Sequence, residues 1–375
     1  MRKGVEENVQ NEKRRFGIYI VASILLVIIC TISIGSCYIM SSINKISNNA
    51  SVVSDDGSQE SAKVVLPKID EEKIGISDSE EDKEKFSEKI TNIAIFGLDE
   101  RTVEYDGEWS RSDSIMILTI DKKNKKVKLS SILRDTYVDI LEYGQVKKDK
   151  INHSFAYGSG EEFAVSNNAL LAYHAGAVRA IETLNNNFKL DIKDYATLNF
   201  YSFKDVVDKL GGVEINLTDQ EINRLNSANA SNPVSGGAGV KVLTGEQALA
   251  YSRNRSDGSD TDRSLRQRNV VLAAFNKMRN VNILELPGVI DSLLASMRTS
   301  LSSKEILSIS TQVLINKMTM ENTRFPVDGN WSSQMIGGVS YNVIADENLN
   351  LSQINDFIYR DIVPQGNITL TTVPQ

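Results

Sequence analysis

The stretch SIMILTIDKKNKKVKLSSIL, Ser114–Leu133, decides the fold. Apolar residues dominate Ser114–Asp121 and alternate with polar ones from Lys126 to Leu133, and the polar run KKNK between the two segments is typical of a turn. The two segments therefore predict a β-hairpin. Upstream, the apolar run TNIAIFGLDE at Thr91–Glu100 predicts a further strand that ends at a glycine and an aspartate.

Helix and strand patterns alternate downstream of the hairpin. The helical spacing is long in Glu161–Phe188, and glycines stop a second helical pattern, Tyr201–Gly212. Strand patterns lie between and after them, at Tyr195–Phe200 and Val213–Leu217. This alternation predicts an α/β fold, a three-layer α/β/α sandwich with a mixed central sheet.

The second half of the chain is predicted to be mostly helical. Arg224–Gly239 is rich in Asn, Ser and Gly and predicts a loop, and Thr244 is a candidate N-cap for the helix that follows it. A further helix is predicted over Asp262–Asn280, with Asp262 as its cap. The last helical patterns either complete the same domain or form an appendage; they lie near Ile283–Met297, Ser303–Lys317 and Leu351–Tyr359.

The N-terminal region predicts a membrane anchor. Ile18–Met40 is a run of about 23 residues without a charge, enough for one transmembrane helix across about 30 Å of hydrocarbon. Lys13, Arg14 and Arg15 precede it, so residues 1–17 are expected in the cytoplasm and the rest of the chain outside the cell. The alternative is a lipoprotein signal with Cys37 in the sequence IGSC, which would also leave the chain at the membrane.

Residues 41–89 are polar and acidic, with too few large apolar side chains to offset the entropy of ordering, and predict a flexible stem. We therefore expect the main domain over residues 90–280 and a C-terminal extension over residues 281–375.

Composition excludes several kinds of chemistry. Both cysteines, Cys30 and Cys37, lie in the predicted span, so the exported part forms neither a disulfide nor a thiolate site. It has two histidines and no HExxH motif, which argues against a zinc hydrolase. With a net charge of −7 the chain has no general attraction for nucleic acid. Catalysis must therefore depend on carboxylates, arginines, hydroxyls or a hard cation.

Arginine is concentrated in one segment, YSRNRSDGSDTDRSLRQRN at Tyr251–Asn269. Arg263 and Gln267 are four residues apart, so a helix would place them on one face near its N-terminus, where an anion is favoured. Arg253 and Arg255 share one side if the backbone is extended there. The alternative is a solvated helix face with weak Asp–Arg pairs. We expect Arg266 and Arg268 to face solvent.

Three more groups of charged residues follow or precede predicted strands. Asp99 and Arg101 follow one predicted strand, and Arg111 and Asp113 precede the next. The two carboxylates either share a hard cation such as Mg²⁺ or simply cap turns. Arg134 and Asp135 directly follow an apolar strand, where ligands often bind in α/β sheets. In KDKINHSFAYG, Lys150 is a candidate binding residue, whereas His153 is expected to be structural because no metal-ligand partner is near it in the sequence.

Taken together, these segments resemble the LytR-CpsA-Psr family of membrane-anchored cell-wall glycopolymer ligases. The resemblance covers about Thr91–Asn280 and consists of seven motifs in order: GLDER, RSDSIMILTID, SILRDTYVDI, KINHSFAYG, LGGVEINL, LTGEQALAYSRNR and DTDRSLRQR. It implies an extracellular α/β/α domain that transfers a glycopolymer from a polyprenyl-pyrophosphate carrier to a peptidoglycan sugar hydroxyl. The polymer could be a teichoic acid, a capsule or another; the sequence does not name it.

The resemblance also implies roles for individual residues. Asp99 and Asp113 would hold Mg²⁺. Arg134, Asp135, Asp260 and Arg263 would be catalytic, while the pyrophosphate would be bound by Arg111, Lys150, Arg253, Arg255 and Gln267. Two departures from the family pattern are Leu133, where proline is common, and Thr261–Asp262, where an aromatic–glycine pair is common. Because of the second departure, Asp260 and Asp262 are both candidates for the family's acidic residue, and Asp135 is a further candidate for the base.

The lipid of the donor needs a dry concave pocket, and Asn168–Leu184 and Val270–Met278 are candidate walls, although the same residues would equally make a core. Other functions are a lipid-pyrophosphate-binding module, a pyrophosphatase of the same fold, and a transcriptional regulator. The predicted anchor separates the arginines from DNA and argues against the last.

Overall fold

The structure is a computed structural model, and it describes residues 89–98, 109–198, 200–229, 231–254, 260–279 and 297–365. The strands are β1 (Ile90–Leu98), β2 (Ser112–Asp121), β3 (Lys126–Ile132), β4 (Tyr137–Glu142), β5 (Gln145–Lys150), β6 (Asp194–Leu198), β7 (Val213–Leu217), β8 (Gly239–Leu243), β9 (Met297–Thr299), β10 (Thr319–Phe325), β11 (Trp331–Ile336) and β12 (Val339–Ile344). The helices are α1 (His153–Ser166), α2 (Ala169–Phe188), α3 (Phe200–Lys209), α4 (Asp219–Ala228), α5 (Gly245–Arg253), α6 (Asp260–Arg279), α7 (Ser303–Ile315) and α8 (Glu347–Arg360).

The predicted span Ile18–Met40 and nearly all of the predicted stem lie outside these residues. In the part of the chain that the structure does describe, none of the helices is both long and apolar enough to cross a membrane.

The central sheet contains six strands in the order β10-β3-β2-β1-β6-β9. The pairs β1–β2, β2–β3 and β6–β9 are antiparallel, whereas β1–β6 and β3–β10 are parallel. The sheet is therefore mixed, as predicted. The β2–β3 hairpin is also confirmed, with Asp121 opposite Lys126 across the KKNK turn.

Alternation along the strands places apolar side chains on both faces of the sheet, because successive residues point in opposite directions. On one face Phe96 and Ile117 pack in a core cluster with residues of α1, α2 and α8. On the other face Met116 and Leu129 pack with residues of α6 and α7. Helices therefore cover both faces of the sheet. This explains why the strands carry apolar residues on both sides, whereas strands of a sheet with one face in solvent carry them on one side only.

A third hydrophobic cluster lies beside the sheet. It is built from α3, α4, α5, the β7–β8 hairpin and one side of α6, with Val213, Leu225, Tyr251 and Val270 among its buried residues. This cluster holds α5 against α6, and these two helices carry the arginine-rich segment.

The helix predicted over Glu161–Phe188 is two helices, α1 and α2. Asn167 adopts the left-handed conformation with φ 48°, and the Asn168 side chain accepts hydrogen bonds from the backbone N–H groups of Leu170 and Leu171. Asparagine favours both of these end positions, so the Asn167–Asn168 pair interrupts a helical pattern that is continuous in hydrophobicity.

Three boundaries differ from the prediction. The loop predicted from Arg224 begins later, because a capping box of Thr218 and Glu221 starts α4, which continues to Ala228. Thr244 does cap α5, also through a capping box, but α6 begins at Asp260 and not after Asp262. The strand predicted over Tyr195–Phe200 ends at Leu198.

The segment after residue 280 contributes to the same sheet. β10 pairs in parallel with β3 along its full length, and Phe357 of α8 lies in the main core cluster. The predicted helices Ser303–Lys317 and Leu351–Tyr359 are found as α7 and α8, whereas the helical pattern near Ile283–Met297 lies almost entirely outside the described residues.

Candidate active site

The candidate site lies at the end of the sheet where β1, β3, β6 and β10 have their carboxyl ends. A small cleft there is lined by four predicted site residues from three parts of the chain. These are Asp113 from β2, Arg134 from the segment after β3, and Arg263 and Gln267 from α6. Ligands of open α/β sheets bind at this end of the strands, so the position fits a functional site.

A β-bulge presents Asp113. Gly97 of β1 pairs with Ser114, but the next residue, Leu98, pairs with Ser112, so Asp113 is the extra residue on β2. Bulges of this kind re-aim a side chain at the edge of a site. Gly97 is required for the close approach, because a Cβ at this position would lie 2.9 Å from the Cβ of Ser114.

Four side chains of alternating charge form a row that runs outward from the cleft. Arg134 Nη1 donates to Asp113 Oδ1 at 2.7 Å, and its Nε lies 3.8 Å from Asp135 Oδ2. Lys150 Nζ then lies 3.2 Å from Asp135 Oδ1. All four side chains are between 18% and 27% exposed, so a bound anion could reach them from the solvent.

The β4–β5 hairpin explains how Lys150 reaches this row of charged side chains. β4 and β5 form an antiparallel hairpin in which Tyr137 pairs with Lys150. The backbone of Asn152 then holds this segment to two others, since its N–H donates to Arg134 O and its carbonyl accepts from Ser112 N–H. The KINH motif is therefore fixed directly beside the residues that carry Asp113 and Arg134.

On α6, Arg263 is 5% exposed and Gln267 lies one turn later on the cleft side, as the spacing predicts. The expectation that Arg266 and Arg268 face solvent is wrong, because they are 5% and 3% exposed. Arg266 donates to the carbonyl of Asn254 at 2.5 Å and so fastens α6 to the end of α5.

Arg268 is buried toward the sheet, on the side of α6 where Leu272 packs. Burial lowers the pKa of Arg268 to about 10, and the positive charge of Arg324 adds to this effect while Asp328 opposes it. Its Nε and Nη1 atoms are buried and make no hydrogen bond within the described structure. The Arg268 side chain therefore stays charged at neutral pH, although two of its nitrogen atoms lack a hydrogen-bond acceptor among the described residues.

Several predicted site residues lie elsewhere or outside the described structure. Arg111 is exposed just before β2. Arg253 is the last residue of α5, hence helical rather than extended, and lines a separate groove. The structure does not describe Asp99, Arg101 and Arg255, nor the side chains of Asp260 and Asp262.

A cluster around Asp149 was not predicted. Asp149 is 7% exposed, and its Oδ2 accepts a hydrogen bond from the Tyr157 hydroxyl at 2.5 Å and lies 3.0 Å from His153 Nδ1. Burial opposes ionisation of this group, but the hydrogen bonds from Tyr157 and His153 outweigh burial and lower the pKa of Asp149. His153 is thus held as an oriented partner of a carboxylate, consistent with the structural role expected for it.

The C-terminal hairpin β11–β12 also reaches the site. Asn342 N–H donates to Asp135 O at 2.8 Å, and the Tyr341 ring lies 5.6 Å from Lys150 Nζ. Its hydroxyl lies 3.4 Å from Asp149 Oδ1. No local pattern near Tyr341 marks it in the sequence, because its partners are about 190 residues away along the chain.

The residues proposed to wall a lipid pocket lie in hydrophobic clusters. Ala177, Ile181 and Leu184 of α2 pack against the sheet, and Val270 and Ala273 of α6 pack against α5 and the β7–β8 hairpin. The structure thus gives these residues a core role.

Asp113 suits a hard cation. Its carboxylate is 27% exposed at the cleft, and Oδ1 is the atom held by Arg134. Among the described residues no three His, Cys, Asp or Glu side chains are grouped closely enough to hold a metal ion. Mg²⁺ usually takes only one or two carboxylates together with phosphate oxygens, so Asp113 and a phosphorylated ligand fit it.

Comparison with known proteins identifies the family. A sequence model described as the LytR_cpsA_psr family matches residues 52–356. The chain belongs to this family. The match extends beyond the expected Thr91–Asn280 at both ends, and it includes the C-terminal hairpin and most of α8.

Relatives of this LytR_cpsA_psr protein carry specific names. The Polyisoprenyl-teichoic acid--peptidoglycan teichoic acid transferase TagU of Bacillus mycoides is 30% identical over 258 residues, 68% of this chain and 74% of that protein. The TagU of Bacillus licheniformis is 34% identical over 193 residues, 51% of this chain and 53% of that protein.

Two solved LytR_cpsA_psr-like structures share the fold. One, "TagT bound to LIIa-WTA", has a TM-score of 0.56 at 23% identity and covers 73% of this chain and 91% of that chain. The other, TagT "with bound octaprenyl pyrophosphate lipid", has a TM-score of 0.53 at 22% identity and covers 73% and 90%. The mixed α/β fold predicted from the sequence is therefore the fold of this family.

Proposed function

We propose that the protein is a membrane-anchored phosphotransferase that works outside the cell. It would move a glycopolymer, such as a teichoic acid, from a polyprenyl-pyrophosphate carrier to a sugar hydroxyl of peptidoglycan. The observation that carries this proposal is the cleft in which Arg134 and Arg263 lie beside Asp113. The names of the TagU relatives and the lipid in the TagT structure support the choice of donor.

The cleft suits phosphoryl transfer, because such a reaction needs positioning and neutralisation of charge on phosphate oxygens more than covalent help from the protein. Arg263 is buried on a helix and lines the cleft, and a guanidinium can contact phosphate with two parallel N–H groups. Arg134 is held in place by Asp113, and Gln267 adds a neutral donor. These groups would bind the pyrophosphate with Lys150 and the arginines 111, 253 and 255.

In the proposed reaction the acceptor hydroxyl oxygen attacks the phosphorus that bears the polymer. The bond between that phosphorus and the bridging oxygen breaks, and polyprenyl phosphate leaves with the bonding electrons. The hydroxyl proton passes to a carboxylate. The candidates for this carboxylate are Asp260, Asp262 and Asp135, of which Asp135 lies between Arg134 and Lys150.

Asp113, with Asp99, would hold Mg²⁺. When bound, the ion neutralises charge on the phosphate oxygens. Ile18–Met40 would anchor the chain in the membrane, with the N-terminus in the cytoplasm and the domain outside.

The test uses the full chain in detergent with lipid-linked teichoic acid and peptidoglycan. We expect Arg263→Ala and Asp113→Asn each to lower the rate of transfer about 10²–10³-fold, the usual cost of losing one group that stabilises developing charge. Arg360→Ala is the matched control, since Arg360 is 71% exposed and pairs with Asp356 on the same helix.

Thermal unfolding of each variant separates lost chemistry from lost structure. Full transfer by folded Arg263→Ala would contradict the proposed site. Release of free polymer without peptidoglycan, with no transfer when it is present, would show a hydrolase instead.

A further inference from the structure

The C-terminal hairpin β11–β12 supplies one side chain to which the proposed reaction gives no part. Lys150 Nζ lies over the ring of Tyr341, 5.6 Å from the ring centre, and 3.2 Å from Asp135 Oδ1. A cation at such a distance over an aromatic ring is attracted by the negative face of the ring. The ammonium group of Lys150 is therefore held by a carboxylate and by an aromatic ring at the same time.

The ring of Tyr341 is itself fixed by its neighbours. The ring of Tyr137 lies against it, with the ring centres 4.8 Å apart and the planes at 59°. Tyr137 is also the cross-strand partner of Lys150, so these two side chains lie on the same face of the β4–β5 hairpin. The backbone beside Tyr341 is held as well, because Asn342 N–H donates to the carbonyl of Asp135 at 2.8 Å. These contacts keep the ring next to Lys150.

The buried residue Asp149 connects the two ends of the Lys150 side chain. Asp149 Oδ1 accepts from the backbone N–H of Lys150 at 2.7 Å and from the Tyr341 hydroxyl at 3.4 Å. The other oxygen, Oδ2, accepts from Tyr157 and lies beside His153, and both of these residues belong to α1. One carboxylate, fixed on α1, therefore holds the backbone of Lys150 directly and its ammonium group through Tyr341.

A lysine that binds phosphate gains from being held in this way. Its ammonium group is a single charge at the end of a flexible aliphatic chain, and ordering that chain on a ligand costs conformational entropy. A neighbour that orders the chain before the ligand arrives removes part of this cost from binding. The Lys150 side chain is 18% exposed, so an anion can still reach it.

We propose that Tyr341 is a positioning residue for Lys150, and that the C-terminal hairpin is thereby part of the anion site. The Tyr341 ring keeps the ammonium group of Lys150 at the outer end of the row that begins with Asp113 in the cleft. Tyr341 acts on the phosphate through Lys150 and not by direct contact. The inference rests on the proposed function, since that function gives Lys150 a pyrophosphate to bind.

The first test is a double-mutant cycle on the binding of inorganic pyrophosphate. The full chain in detergent is titrated by calorimetry at a constant Mg²⁺ concentration. We expect Tyr341→Ala to weaken binding about three- to tenfold, because the cation–π contact is lost and a long side chain must be ordered on binding. In the Lys150→Met background, Tyr341→Ala is expected to change the affinity by less than about twofold, since the charge through which it acts is already gone.

Met335→Ala is the matched control for the first test. Met335 lies on the same hairpin, is 69% exposed and is paired with Ser340, so its side chain is on the face opposite to that of Tyr341. We expect this truncation to leave the pyrophosphate affinity unchanged. Tyr341→Phe is the conservative variant, and it is expected to stay within about twofold of the unaltered affinity because it keeps the ring.

The proposal is overturned if Tyr341→Ala weakens binding equally with and without the Lys150 ammonium group, because Tyr341 would then act through the fold alone. A loss in Tyr341→Phe as large as in Tyr341→Ala would also overturn it, since the ring would not be the part that matters. If Lys150→Met binds pyrophosphate as tightly as the unaltered protein, Lys150 is not an anion-binding residue and the inference fails with it.

The second test uses the transfer reaction with the lipid-linked donor. We expect Tyr341→Ala to raise KM for the donor about three- to tenfold and to leave kcat within about twofold, because Lys150 would contact the pyrophosphate before and during the reaction. A fall in kcat at an unchanged KM would contradict this role. If the unaltered protein transfers nothing, the proposed function fails, and the pyrophosphate titration still decides whether Tyr341 acts through Lys150.

Discussion

At the scale of single residues, the unusual feature is Arg268. A buried guanidinium with two unsatisfied nitrogens costs free energy, and the nearby charge of Arg324 increases the cost. Proteins keep such features where function requires them, at the expense of stability. Arg268 lies one residue after Gln267 of the cleft, so its charge adds to the positive potential behind the proposed pyrophosphate position.

We predict that Arg268→Met raises the free energy of unfolding of the ligand-free protein, by about 1–3 kcal/mol, because an apolar side chain of similar length removes the desolvation cost. Urea denaturation measures the change, with Arg360→Met as the exposed control. A lower free energy of unfolding for Arg268→Met would mean that the buried charge stabilises the fold.

The candidate site could be predicted where its residues lie in local motifs. The apolar strand before Arg134 and the four-residue spacing of Arg263 and Gln267 placed these side chains correctly, since both follow from strand and helix periodicity. The same periodicity did not show that Arg266 and Arg268 are buried. Their environment depends on which side of α6 the sheet and α5 occupy, and this is a tertiary property.

At the scale of elements, most helices and five of the twelve described strands, β1, β2, β3, β6 and β7, could be predicted because hydrophobic periodicity reports them directly. The errors occur at Asn167–Asn168 and near Thr218, where end-capping side chains and not hydrophobic residues decide where a helix stops or starts. Tyr341 was missed for another reason, since the hairpin that carries it reaches the site only through the folded sheet.

The contact between α3 and α5 yields a prediction at this scale. We expect Gly245→Ala to lower the free energy of unfolding by about 1–3 kcal/mol, because the added methyl group would overlap the Lys204 carbonyl and push the helices apart. Chemical denaturation checks it. Gly144→Ala is a poor control because of its positive φ, so Ala228→Gly, at the exposed end of α4, provides a glycine–alanine exchange without overlap.

Ala228→Gly measures the effect of helix propensity alone, which favours alanine. A Gly245→Ala variant that is as stable as the unaltered protein, or more stable, would show that helix propensity outweighs the α3–α5 overlap.

At the scale of the whole molecule, a buried ionic network joins the C-terminal helix to the sheet, at the end opposite the cleft. Lys128 Nζ lies 2.9 Å from Asp121 Oδ2, both side chains are fully buried, and Lys128 also donates to the carbonyl of Ile358 on α8. Asp361, which ends α8, lies 3.2 Å from Lys128. Breaking such a network by removing one partner leaves an uncompensated buried charge.

The network predicts a dependence of stability on pH. Burial alone would raise the pKa of Asp121, but hydrogen bonds from Lys128 and Asn124 outweigh it and lower the pKa. The stabilisation is therefore complete above the unfolded-state pKa of about 4 and is lost as the pH falls through the lower folded-state value.

We expect Asp121→Asn to lower the free energy of unfolding at pH 7 by about 3–5 kcal/mol and to reduce the loss of stability between pH 5 and the acid limit. Urea denaturation across this pH range is the measurement. Asp139→Asn, whose side chain is 53% exposed, is the control. A pH dependence in Asp121→Asn as steep as in the unaltered protein would assign the effect to other carboxylates.

The parallel pairing of β3 with β10 has a consequence for the order in which the protein forms. As the chain emerges from the ribosome, β3 is complete at Ile132, but its neighbour begins only at Thr319. Throughout the synthesis of the intervening segment, one side of β3 offers unpaired backbone groups, the kind of edge at which chains aggregate. The nascent protein therefore exposes this edge for longer than a protein whose neighbouring strands follow one another along the chain.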